Sequence, residues 1–394
     1  MKRIKGFNFK NKKTIIRVDF NVPLNKDQKV TDNSRLIGAL KTIKTVIKAR
    51  GIVILISHLG RPKGKNKEEL SLKHVLPFLK KELSCPVSFF NDCVGIETKE
   101  FINQQKPGSV TLLENLRFYP EEELGDVNFA KELASLADIY INDAFGTAHR
   151  AHASTSIITQ FFKDCLCGEL MYTEISNLKT TVEIPQSHFT AIIGGAKISG
   201  KIEVIKSLIK KVDSLIIGGG MAYTFIKALG GSVGKSLVEE EKLVLAKEII
   251  ILAKEKNVAL LLPVDSKNSL HFNNDSETDL SDIYKIKEDY MGLDIGPKTI
   301  ELFKEEILKS KTIIWNGPMG VFEMQKFEKG TKSIAIAVCE ATKKGAYSLI
   351  GGGDSVAAIK QFKLEKQVSY ISSGGGAMLE YLEGKELPGI VALL

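Results

Sequence analysis

All seven arginines of the 394-residue chain (Arg3, Arg17, Arg35, Arg50, Arg61, Arg117 and Arg150) lie in its first 150 residues, and every run of two or more glycines lies after residue 190. A guanidinium presents a fixed fork of donors that grips a carboxylate or phosphate through two parallel hydrogen bonds, which an ammonium cannot do. Glycine runs let backbone N–H groups cradle a phosphate, usually where a strand hands over to a helix. Together the halves suggest an arginine-held small anion and a glycine-held nucleotide. Arg17 falls inside a strand, Arg3 near a terminus and Arg50 before a strand, so these three read as structural. The other four follow strands or polar turns.

In the segment 191–205 a short apolar run precedes Gly194-Gly195, and Ile198, Ile202, Ile205 and Ile209 recur at helical spacing. The pattern predicts a strand, a Gly-Gly turn and a helix, with Lys197 and Lys201 one turn apart on one face. Gly195 to Lys201 matches the start of a Walker A loop, but Ile202 stands where magnesium needs a hydroxyl. The segment is therefore a nucleotide-phosphate site whose metal is held elsewhere, or a tight turn with two surface lysines. Gly234-Lys235-Ser236 lacks the earlier glycine and reads as a surface loop. Gly351-Gly352-Gly353-Asp354 follows a buried strand and precedes a helix, so its N–H groups suit phosphate and Asp354 suits a nucleotide-bound magnesium; the alternative is Asp354 as an ordinary N-cap. Gly374 to Gly376 reads similarly but has no adjacent acid, and a close backbone crossing is an alternative. Glu323 could accept from ribose hydroxyls or be a surface acid. His149, His152 and Asp143 are spaced like metal ligands, yet Arg150 between the histidines and the lack of a third ligand in a helical frame argue against zinc. His58 reads as a hydrogen-bonded loop histidine, made interesting by the arginine in Gly60-Arg61-Pro62.

These residues need elements to position them. Short apolar runs alternate with helix-period segments, the pattern of a parallel sheet covered by helices. In the first half the runs are 14–18, 52–56, 110–113 and 139–141, followed by Asp19 and Asn21, Ser57 and His58, Glu114 to Arg117, and Asn142-Asp143. In the second half they are 191–193, 215–217, 259–262, 312–315, 348–350 and 368–371, most followed by glycine. Ligands of open α/β sheets bind where such strand ends converge. The length and a hydrophobic content of 43% fit two domains, with the boundary near residues 168–185, where a helical connector without Gly/Ser composition implies a hinge. The net charge of +8 comes from lysines dispersed among acids, with no basic block and no interleaved aromatics, which argues against nucleic acid as partner. Five cysteines without zinc spacing fit reduced thiols in a cytoplasmic protein, and no stretch is long and apolar enough for a membrane span or a secretory signal.

Eight motifs in order, Arg17 to Pro23, Ser57 to Pro62, Glu114 to Phe118, Asn142 to Ser154, Gly194 to Lys197, Gly218 to Ala222, Trp315 to Glu323 and Gly351 to Asp354, give nearly the whole chain a sequence that resembles phosphoglycerate kinases. The resemblance implies an α/β fold of two Rossmann-like domains, each a mainly parallel sheet covered by helices, joined by a hinge. It places 3-phosphoglycerate in residues 1–170 plus a returning segment 379–394, and the nucleotide in residues 171–378. By position, Asp19, Asn21, Arg35, His58, Leu59, Gly60, Arg61, Arg117 and Arg150 resemble the acid-substrate site. Lys197, Lys201, Gly292, Asn316, Glu323, Gly351, Gly352, Gly353 and Asp354 resemble the nucleotide site, with Asp354 toward Mg2+. The implied reaction is 1,3-bisphosphoglycerate plus MgADP to 3-phosphoglycerate plus MgATP, reversibly, by a monomer.

Both nucleophiles of that reaction are ionised at pH 7, so catalysis is alignment and charge neutralisation without a general base. Arg35 and Lys201 are expected on the transferring group, and Lys197 on nucleotide phosphate. Gly200, Tyr290 and Tyr370 depart from residues common in the family, which bears on helix stability and on packing beneath the nucleotide. Two other classes stay open on the residues alone. A nicotinamide dehydrogenase lacks a clean Gly-x-Gly-x-x-Gly unit, and a non-enzymatic anion or nucleic-acid binder is favoured only by the basic charge.

Overall fold

Strands β1 (Lys2–Arg3), β2 (Lys13–Arg17), β3 (Ile52–Ile56), β4 (Val87–Phe90), β5 (Val110–Leu113), β6 (Ile139–Asn142) and β7 (Cys165–Cys167) make one sheet in the order β1-β7-β6-β2-β3-β5-β4, with every pair parallel. The computed structural model describes all 394 residues and divides them into two units, Met1–Ser176 with Glu386–Leu394, and Asn177–Lys385. β3 is buried at every residue, as its unbroken Ile-Val-Ile-Leu-Ile run demands of a strand covered on both faces. The helix Ser34–Lys48 lays Leu36, Leu40, Ile43 and Val46 on that sheet, against Ile16, Leu55 and Ile141. From β2 the chain moves outward to β3 and returns on the other side as β6. This order reversal lies at the carboxyl ends of β2, β3 and β6, the place where open α/β sheets bind ligands.

In the second unit, β8 (Phe189–Ile193), β9 (Ser214–Ile217), β11 (Ala259–Leu261), β16 (Thr312–Asn316), β17 (Tyr347–Ile350) and β18 (Tyr370–Ile371) form a second all-parallel sheet, ordered β11-β9-β8-β16-β17-β18. Here the order reverses between β8 and β16. Trp315, fully buried, packs with Ile192, Ile313 and Ile334 behind that point. Two small sheets complete the unit. β12 (Asp265–Ser269) pairs antiparallel with β13 (Thr278–Asp282) and β15 (Met291–Ile295), and β10 (Ser232–Val233) pairs with β14 (Lys285–Ile286).

Near the C-terminus, the helix Gly376–Leu382 packs on the helix Ile202–Leu208 in the second unit. The last residues belong to the first unit, where Gly389 donates its N–H to the Ala148 carbonyl at 2.8 Å. Glu169–Val182 is helical, and Gly168 precedes it because a Cβ there would lie 2.2 Å from Asp143 Oδ1. All five cysteines are free thiols, and no helix is long and apolar enough to cross a membrane.

Candidate active site

In the first unit the residues after β2, β3 and β5 brace one another. Arg35 Nη1 lies 3.1 Å from Asp19 Oδ2 and donates to the Asn21 carbonyl at 3.0 Å. Asn21 Oδ1 accepts the Gly60 N–H at 2.9 Å, and Arg117 Nη1 donates to the Gly60 carbonyl at 3.0 Å. Gly60 has φ +63°, and a Cβ there would meet Leu70 at 2.7 Å, so the turn needs glycine. The Leu59 carbonyl accepts from Asn115 Nδ2 at 2.7 Å while Asn115 Oδ1 caps the Arg117 N–H at 3.0 Å, which makes Asn115 the hub of this loop. Arg61 and Arg150 are exposed and their guanidinium groups have no protein partner.

His58 is buried, with Nδ1 3.3 Å from Arg17 Nη2. Burial first, then the charges of Arg17, Arg117, Arg35 and His152, hold its pKa well below the ordinary imidazole value. The ring is therefore neutral at pH 7. Because a guanidinium only donates, Nδ1 accepts and the ring proton sits on Nε2. Arg17 is itself fully buried, donating to Ser154 Oγ at 2.8 Å, and Ser154 Oγ donates to Glu122 Oε1 at 2.6 Å. His152 is pushed down to about 3, chiefly by burial and then by Arg117, Arg17 and Arg150. The structure assembles no group of three or more His, Cys, Asp or Glu set to hold a metal.

In the second unit the glycine turns after β8, β9 and β16 interlock. Gly194 N–H donates to the Asn316 carbonyl at 3.0 Å and Gly195 N–H to the Pro318 carbonyl at 2.9 Å. Gly219, at φ +69°, would set a Cβ 2.5 Å from Gly195 N. Beside these crossings lies a cavity of about 510 Å³ whose walls include Ala196, Gly220, Tyr223, Leu237, Met291, Gly292, Leu293, Val321, Glu323 and Asp354. Gly292 is pressed onto Tyr223, whose hydroxyl would be 2.1 Å from an added Cβ. A lining of mostly glycine and apolar residues with the charged groups Lys235, Glu323 and Asp354 suits a planar base with a charged tail.

Of the expected nucleotide residues, Gly292, Glu323 and Asp354 line this cavity. Asn316 is buried, its Nδ2 donating to the Gly351 carbonyl at 3.0 Å, so it braces one glycine turn against another. Gly351 is buried against Met378, Gly352 takes φ +90° as N-cap of the helix Gly353–Gln361, and Asp354 stands exposed in the first turn of that helix. Asp354 is thus not the N-cap, and the capping alternative falls. The crossing alternative falls at Gly375, whose Cβ position is open and whose φ of +46° is what requires glycine.

Two expectations are corrected. Lys197 and Lys201 do not share a helical face, because the helix begins only at Ile202, with Lys201 as its N-cap. The reason is tertiary: the Glu239 carboxylate takes the N–H groups of Ile198 at 2.6 Å and Ser199 at 3.1 Å, and Gly200 has the backbone freedom to leave the helix. Lys197 is exposed, whereas Lys201 Nζ donates to the carbonyls of Gly194 at 2.6 Å and Asn316 at 3.0 Å. Burial lowers the Lys201 pKa to about 8 against the opposing pull of Asp354. Nor is Gly234-Lys235-Ser236 a bland surface loop: Lys235 lines the cavity, and Ser236 Oγ accepts the Gly292 N–H at 2.8 Å.

The family model described as phosphoglycerate kinase matches residues 4–385. The chain is 52% identical over 392 residues to the phosphoglycerate kinase of Chloroherpeton thalassium, covering 100% of this chain and 98% of that protein, and 52% identical to that of Clostridium tetani. Its fold is similar to the solved phosphoglycerate kinase of Coxiella burnetii, with a TM-score of 0.90 and 41% identity over 99% of this chain and 98% of that one. With a braced arginine loop in one unit, a glycine-walled cavity in the other, and full-length relatives at this identity, the chain belongs to the phosphoglycerate kinase family.

Proposed function

We propose that the chain transfers a phosphoryl group reversibly between the acyl phosphate of 1,3-bisphosphoglycerate and MgADP, giving 3-phosphoglycerate and MgATP, as a cytoplasmic monomer. The first unit holds the acid substrate and the second the nucleotide. The observation that carries this reading is the glycine-walled cavity of the second unit, lined by Asp354, with the partly buried ammonium of Lys201 held on the Gly194 carbonyl next to the lining residue Gly195. Arg35 presents a guanidinium with one nitrogen engaged and the rest of its fork open, suited to an oxygen of the transferring group. Arg61, Arg117, Arg150 and the Nε2–H of His58 suit the remote phosphate of the acid, while Asp19, Asn21, Leu59 and Gly60 hold that loop in place. In the second unit Lys197 faces nucleotide phosphate, Glu323 the ribose, and Gly292 the base, with Asn316 and Gly351 to Gly353 shaping the backbone around the phosphates.

Asp354 has the hard, unpartnered oxygens that Mg2+ prefers, and a single carboxylate beside nucleotide phosphates is the usual protein share of such a site. When bound, the ion neutralises phosphate charge. The chain's own contribution is alignment and electrostatic stabilisation: Lys201 must leave its two carbonyls to meet charge developing on the transferring oxygens. A coupled assay of acyl phosphate formation dependent on both ATP and 3-phosphoglycerate tests the reading. Nucleotide binding without turnover in the presence of the acid would refute it.

A further inference from the structure

Glu239 lies outside every motif that carries the family resemblance, yet it touches the loop on which the proposed phosphate chemistry depends. Its side chain is buried, at 8% exposure. Oε2 accepts the N–H groups of Ile198 and Ser199, two charge-assisted bonds that fix the backbone between Lys197 and Lys201 in a non-helical path. The acceptor is itself anchored, since the Glu239 N–H donates to Thr224 Oγ1 at 3.1 Å, and Thr224 is buried on the helix Met221–Ala228 that follows Gly218 to Gly220. That helix also receives the loop directly, through the Met221 N–H on the Gly195 carbonyl at 3.1 Å. Although burial pushes the Glu239 carboxyl up, the hydrogen bonds from Ser199 and Ile198 and the charge of Lys197 outweigh it and hold the pKa below the ordinary value, so the carboxylate is ionised at neutral pH.

We infer that Glu239 is a positioning residue for phosphoryl transfer: its carboxylate clamps the loop 195–201 so that Lys197 and Lys201 leave it in fixed directions toward the nucleotide phosphates. The inference rests on the proposed function. Without the clamp, the free N–H groups of Ile198 and Ser199 would let the helix Ile202–Leu208 extend backward and turn both ammonium groups. Glu239→Ala is expected to lower kcat/KM for ATP about tenfold to a hundredfold while KM for 3-phosphoglycerate stays within about twofold, because two bonds to a buried carboxylate are lost on the nucleotide side only. Glu239→Gln keeps an acceptor oxygen and is expected to fall between Ala and the parent; it also stands in should the Ala variant fail to fold. Parent-like constants in the Ala variant, or an equal change in both KM values, would overturn the inference. A Gln variant no better than Ala would also overturn it, by assigning the effect to charge facing Lys197. If the parent itself turns over no acid, the proposed function fails instead. The clamp is then read from MgADP affinity, expected to weaken tenfold or more in Glu239→Ala, and unchanged affinity would sink it.

Discussion

Lys201 Nζ lies 2.6 Å from the carbonyl oxygen of Gly194, so the ammonium proposed for the transferring group is held on the backbone of the glycine turn that borders the glycine-walled cavity. A cation resting on dipoles loses little when it shifts to a developing anionic oxygen, and it is worth most when that charge appears. Lys201→Met is therefore expected to lower kcat about a hundredfold or more while MgADP affinity changes only severalfold. Steady-state kinetics beside calorimetric binding checks this. Unchanged turnover would remove Lys201 from the mechanism.

The same environment sets a pH limit. Burial brings the Lys201 pKa to about 8, so its charge is lost as pH rises through that value, well before an exposed lysine would titrate. The value of kcat/KM for the nucleotide, which reports groups of the free enzyme, is expected to fall along an alkaline limb near pH 8. Lys201→Met should lack that limb, and a limb retained in the variant would assign it to another group.

Arg35→Lys is expected to cost about a hundredfold in kcat/KM despite conserving charge. The guanidinium reaches Asp19 and the Asn21 carbonyl through one nitrogen and leaves the rest of its fork open for the proposed substrate contact, a division a three-donor ammonium on a shorter reach cannot reproduce. Near-parent activity in the lysine variant would reduce Arg35 to a point charge.

Asp354→Asn is expected to raise the magnesium concentration for half-maximal activity by about an order of magnitude, since a neutral amide holds a hard cation less well. Asp354 makes no side-chain capping bond to its helix, so folding stability should barely move. A magnesium curve that does not shift would leave Asp354 without a role in metal binding.

The central parallel strands were legible because burial on both faces favours nearly continuous apolar runs: β3, and β5 with Thr111 as its one polar residue, match the runs 52–56 and 110–113 residue for residue. β12 was not, because Asp-Ser-Lys-Asn-Ser carries no apolar signal. Its burial is made possible by long-range bonds, such as the Asp265 carboxylate accepting Thr299 N–H at 2.8 Å and Lys298 N–H at 3.0 Å at the start of the helix Pro297–Lys309. At the candidate site, arginine and glycine types single out turns that the fold brings together at the strand ends, but isoleucine spacing extends a helix through Lys197 that Glu239, far along the chain, interrupts. Gly234 to Ser236 carries no local motif, and its contribution is a bond from Gly292 N–H to Ser236 Oγ that only the tertiary fold creates.

Asp294, on β15 beside Gly292, offers a test of how the wall of the cavity is held. It is buried, with Oδ2 accepting the Gly330 N–H at 2.7 Å, while Oδ1 has no partner and faces the α-carbons of Gly320 and Gly330, where an added Cβ would lie 2.3 and 2.1 Å away. Burial outweighs the bonds from Gly330 and Ile295 and raises the carboxyl to about 7. A carboxyl raised above its unfolded value binds its proton more tightly in the folded chain, so its contribution to stability is full below about pH 4 and is lost as pH rises through about 7. Asp143, also raised to about 7 by burial, adds a trend of the same sign, whereas His58 and His152, lowered in the folded chain, add one of opposite sign. The overall pH profile therefore does not isolate Asp294, but a difference between variants does. Asp294→Asn, nearly isosteric and without a titration, is expected to gain stability relative to the parent as pH rises from 4 to 8, by on the order of a few kcal/mol. Denaturant unfolding of both proteins at each pH measures the gap, and a gap that stays constant would mean that Asp294 enters the folded state already ionised.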